Sequence, residues 1–106
     1  MKSYGKLVRD RIPEIMQQAG KSATWRELSA DEFRLALRAK VLEEAKELVD
    51  AADDALLSEL ADLAEVIEAI LCAYDLTPDD LDAARQRKNN DRGAFTRRLF
   101  LESPSE

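Results

Sequence analysis

The chain has 106 residues, of which 45% are hydrophobic, 6% aromatic and 36% charged, with a formal net charge of −6. That length gives one domain with a small core, and the sparse aromatics, three Gly and three Pro suit a mostly helical fold better than a sandwich or barrel. The acidic balance leaves no electrostatic footprint for nucleic acid.

The chain has no histidine, so imidazole zinc sites, Ser-His-Asp triads and the Glu-x-x-His di-iron signature are all excluded. Any metal here is held by oxygen. The lone Cys72 forbids an intrachain disulfide and points to a reducing compartment. No apolar run approaches the roughly 18 residues of a spanning helix, and Met1-Lys2-Ser3 does not open a signal peptide. The expected location is cytoplasmic, with no membrane partner.

In chain order, residues 4–12 (YGKLVRDRI) mix basic and apolar side chains ahead of Pro13. Proline favours a helix's first turn, so Pro13–Ala19 is predicted as a short helix closed by Gly20. Residues 22–28 (SATWREL) are irregular and are expected to be extended, with Trp25 and Leu28 turned inward.

Ser29 with Glu32 forms a capping-box pattern that opens a helix over about 30–50. Its apolar arc takes in Phe33, Leu37, Val41, Leu42, Ala45, Leu48 and Val49. The short polar segment 50–54 (DAADD) sends the chain back as an antiparallel helix over about 54–74, with a stripe of Leu56, Leu60, Leu63, Val66, Ile67, Ile70, Leu71 and Tyr74. Thr77-Pro78-Asp79-Asp80 starts a further helix to about Asn90. Gly93 breaks that helix, and FTRRLFLE (95–102) is read as an extended tail. The fold class is therefore all-α: an antiparallel helical bundle built on a central hairpin, with N- and C-terminal helices and short extended segments.

Acids on exposed helix faces are ordinary, so their placement matters more than their number. Glu44 projects between Phe33 and Leu37, inside the first apolar arc, and Glu59 projects between Val66 and Ile70, inside the second. Glu47 lies at the edge of its arc beside Lys40, and Asp62 at the edge of the other, whereas Glu43 points further out and Glu65 faces away. A buried carboxylate is normally neutralised, paired or coordinated to a metal. With the turn near Ala52 or Asp53, the pairs Glu47/Glu59 and Glu44/Asp62 each come level to within about 3 Å. Four converging carboxylates suit Mg²⁺ or Mn²⁺. The competing reading is salt-bridged acids, with Lys40 and Lys46 as the cations.

These residues resemble a known pattern. Glu43-Glu44-x-x-Glu47 followed by Glu59-x-x-Asp62 is similar to the EExxE…ExxD signature of the MazG-like, all-α nucleoside triphosphate pyrophosphohydrolases. The opening Lys6-Leu7-Val8-Arg9-Asp10-Arg11-Ile12-Pro13 and the closing Lys88-x-x-x-Arg92-Gly93-x-Phe95 resemble a small phosphoribosyl-ATP-pyrophosphohydrolase-like branch of that group. The resemblance implies an Mg²⁺-dependent hydrolase that converts a nucleoside triphosphate to the monophosphate and pyrophosphate. Metal ligands would be Glu44, Glu47, Glu59 and Asp62, with Glu44 and Glu47 as candidate catalytic carboxylates. Lys6, Arg9, Lys88 and Arg92 would bind the triphosphate, and Asp10 would orient Arg9. A homodimer or higher homo-oligomer is expected.

Three other readings stay open at this point. The hairpin could be a non-catalytic dimerisation module, or the substrate could be phosphoribosyl-ATP in histidine synthesis. Tyr4, Trp25 and Phe95 could stack on a base, although each is more often a packing residue. Cys72 lies off the main stripe and is expected at a packing contact.

Overall fold

A computed structural model describes residues 5–104. It contains four α-helices, α1 (Ile12–Gln18), α2 (Ala30–Asp50), α3 (Leu56–Ala73) and α4 (Pro78–Arg92), with a single 3₁₀ turn, Asp53–Ala55, between α2 and α3. Among the described residues there is no strand, so the fold is all-α. The chain forms two compact units, one ending at Leu76 and one beginning at Thr77.

In the first unit α2 and α3 pack as an antiparallel hairpin. Ser29 caps α2: its side chain accepts from the Glu32 backbone N–H while the Glu32 carboxylate accepts from the Ser29 N–H. Arg26 also holds that carboxylate, 2.9 Å from Oε2. Its hydrogen bonds, with those of Ser29, lower the Glu32 pKa to about 2.

Two helices end in the same motif. After α1, Gly20 and Lys21 donate to the carbonyls of Gln17 and Met16, and Gly20 adopts φ +76°. After α3, Asp75 and Leu76 donate to Cys72 and Leu71, and here the left-handed position (φ +58°) is held by an aspartate. This arrangement satisfies the last carbonyls of the helix.

The far end of the hairpin is latched. The Arg34 Nε–H donates to the Ala73 carbonyl (2.9 Å), and the Arg38 Nε–H donates to the Tyr74 hydroxyl (2.9 Å). Both guanidinium groups lie over the Tyr74 ring, at 5.7 and 5.3 Å from its centre. Such contacts contribute about 0.5–1 kcal/mol each at exposed sites. A surface depression of about 470 Å³ opens beside this latch, lined by Arg38, Val41, Ile70, Tyr74 and Leu76.

Several sequence expectations change. The apolar arc of α2 is narrower than projected, since Leu42 and Val49 are 74% and 81% exposed. On α3, Leu56, Leu60 and Ile67 are exposed as well, and among the described residues the buried apolar side chains are Leu37, Val66 and Leu71. One helix packed on one neighbour covers only the facing stripe, so the flanks of both arcs stay open. Among the described residues, 22–28 and 95–102 belong to no helix or paired strand, and residues 95–97 bend and turn. Trp25 is 56% exposed instead of packed inward, and Phe95 and Cys72 are exposed too. Tyr4 lies outside the described residues.

In the second unit, Thr77 and Asp80 form another capping box at the start of α4. Gly93, at φ +82°, ends the helix and donates to the Asn89 carbonyl.

Candidate metal centre

The acids meet on one side of the hairpin. One carboxylate oxygen each from Glu44, Glu59 and Asp62 lies within 4.8 Å of the others. Glu44 is 7% exposed, and its Oε2 and the Oε2 of Glu59 are both buried without a hydrogen-bond partner. Burial pushes the Glu44 carboxyl above the usual range, and the neighbouring Glu47 carboxylate adds to this. Lys40 opposes that rise and Asp62 adds to it.

The fourth acid is placed differently. Glu47 is exposed and stands beside Glu44 rather than within the converging group. Lys40 pairs with Glu43 (3.1 Å) and Glu44 (3.5 Å), where projection had set it beside Glu47. The correction is one of reach: from Lys40, residues at i+3 and i+4 are helical neighbours and i+7 is two turns away. Lys40 is only 17% exposed, so it is a fixed counter-charge. Lys46 makes no ion pair among the described residues.

The opening segment lies against these acids. Lys6 holds Glu43 at 3.3 Å, and Arg9 reaches Asp62 with one contact, Nη2 to Oδ1 at 2.7 Å. Burial raises the Glu43 pKa, but the hydrogen bonds and charges of Lys40 and Lys6 outweigh it, leaving the group lowered. Asp10 makes no hydrogen bond with Arg9, so the expectation that it orients Arg9 gives way to Asp62 in that role. Lys88 and Arg92 are exposed on α4, in the second unit.

The donor set fits a hard divalent cation. All ligand atoms are carboxylate oxygens, which such ions prefer. Opposite oxygens around an ion with 2.1 Å bonds are about 4.2 Å apart, close to the 4.8 Å limit that encloses the three acids. Two of the three residues also carry a buried oxygen without a hydrogen-bond partner, Oε2 of Glu44 and of Glu59. Arg9 and Lys40 neutralise only part of the cluster, and Glu59 has no ion pair among the described residues.

The Arg34–Tyr74–Arg38 latch was missed from sequence. Its one available signal was the i,i+4 arginine pair near the start of α2, facing a tyrosine at the end of α3.

A 52-residue stretch of the chain is 50% identical to an uncharacterized protein of Mycolicibacterium smegmatis, covering 47% of this chain and 53% of that protein. The match thus spans about half the length of that relative. No family profile matches the chain. No solved structure matches it.

Proposed function

We propose that the protein is an Mg²⁺-dependent nucleoside triphosphate pyrophosphohydrolase that cleans the nucleotide pool. The observation that carries this reading is the pair of buried, unpartnered oxygens on Glu44 and Glu59, set beside Asp62 on two facing helices. An unsatisfied buried carboxylate oxygen is costly, and a cation removes that cost. Glu44, Glu59 and Asp62 would hold the ion, with Glu47 at the exposed edge of the site. When bound, Mg²⁺ supplies phosphate charge neutralisation and helps to activate the attacking water.

The remaining roles belong to side chains of this chain. Glu44 and Glu47 are the candidate carboxylates to take a proton from the attacking water. Lys6 and Arg9, brought to the acids by the opening segment, can accept the phosphates. Lys88 and Arg92 are proposed as further phosphate ligands on the strength of the sequence resemblance.

The test is pyrophosphate release from a panel of canonical and modified nucleoside triphosphates during an Mg²⁺ titration. Metal-dependent pyrophosphate with an equal amount of monophosphate is expected. Absence of hydrolysis across the panel, with no Mg²⁺ or Mn²⁺ binding, rejects the proposal.

A second reading, a helical interaction module, is favoured by the exposed Leu56, Leu57, Leu60 and Ile67 along one flank of α3. Sedimentation separates the two: a dimer whose assembly and stability ignore divalent cations, and which hydrolyses nothing, fits the module alone.

A further inference from the structure

We propose that Arg9 is a displaceable placeholder for the divalent cation at Asp62, an inference that rests on the cation-site reading above. Among the described residues, Lys40, Lys6 and Arg9 touch the acids. Lys40 is largely buried and bridges two carboxylates within its own helix, so it stays in place. Lys6 ties the opening segment to Glu43, which is not one of the three converging acids. Among the described residues, Arg9 alone joins that segment to a member of the converging group, through one contact between two half-exposed side chains.

A surface pair of this kind contributes little to stability and exchanges readily. Arg9 holds Oδ1 of Asp62, so a cation at Asp62 either takes that oxygen or binds Oδ2 with a second positive charge alongside, and both weaken the Arg9 contact. Arg9 therefore leaves Asp62 as a cation arrives. The freed guanidinium then faces the phosphates with its donor fork open. In the cation-free protein the same contact offsets part of the charge that would push Asp62, Glu59 and Glu44 apart.

Competition of this kind is reciprocal, so removing Arg9 must tighten cation binding. The experiment measures Mn²⁺ binding to the full chain by electron paramagnetic resonance, with the metal alone and no nucleotide. Arg9→Gln is compared with Arg11→Gln, which removes the same charge two residues further on, where Arg11 pairs with Glu14. Arg9→Gln should lower the Mn²⁺ dissociation constant about three- to five-fold more than Arg11→Gln does. In an Asp62→Asn background the two substitutions should become equivalent. Equal effects of the two variants in the native background, or weaker binding by Arg9→Gln, would overturn the placeholder role and leave the cation site standing. No Mn²⁺ binding by the unaltered protein would remove both.

Discussion

Glu44 on α2 and Glu59 on α3 each keep Oε2 away from solvent and without a hydrogen-bond donor, although they come from different helices and lie close enough to share a ligand. A small hairpin with so few buried apolar side chains gains nothing structural from two such oxygens.

Glu44→Gln should therefore stabilise the cation-free protein while abolishing tight cation binding. The folded state raises the Glu44 pKa, so it holds the proton more firmly than the unfolded chain does. Its contribution is fully present at low pH and declines as pH rises through the folded value. Above that range Glu44→Gln should gain on the order of 1 kcal/mol in urea unfolding. The gain should vanish, or reverse, when saturating Mn²⁺ is added to both proteins. A loss of stability without metal would show that Lys40 already satisfies the site.

Glu32 behaves in the opposite sense. Its hydrogen bonds to Arg26 and Ser29 lower its pKa to about 2, so its contribution is present above the unfolded value of 4.5 and is lost as pH falls towards 2. Thermal unfolding of Glu32→Gln should accordingly be less pH-dependent than that of the native chain between about pH 4.5 and 2. Parallel curves for the two proteins would contradict this.

Asp75 occupies a left-handed backbone position and places a negative charge at the negative end of α3. Asp75→Gly relieves both effects and should raise stability by about 0.5–1 kcal/mol, with Asp75→Asn giving a smaller gain in the same direction. Chemical denaturation resolves changes of this size.

The exposed flank of α3 gives an expectation for assembly. If Leu60 and Ile67 meet a second copy, Ile67→Glu should shift sedimentation towards monomer at micromolar concentration. The native protein should sediment as a dimer or larger species. A native chain that is monomeric at that concentration would exclude the contact.

Sequence reading reached the helices with little error because their signals are local. Ser29/Glu32 and Thr77/Asp80 set the starts of α2 and α4, and both capping boxes are present. The inward placement of Glu44 was legible for the same reason, since periodicity alone puts it on the core face. Side-chain reach was less legible. Projection ranked Glu47 above Glu43 as the neighbour of Lys40, yet the ammonium group sits with Glu43 and Glu44. The Arg9–Asp62 contact spans residues far apart in sequence, so it was invisible before the fold was known. Exposure of Leu42, Val49 and Trp25 escaped for a related reason: pattern shows which residues want burial, not whether a neighbour is there to bury them.

The latch at Tyr74 bears on how the hairpin moves. The 3₁₀ turn joins α2 to α3 at one end, and Arg34, Arg38 and Tyr74 join them at the other. Glu44, Glu59 and Asp62 fall between these two fastenings. A pair of rods pinned at both ends can bow apart in the middle but cannot slide past one another. The carboxylates of Glu44, Glu59 and Asp62 can therefore spread or close while the two helices keep their register.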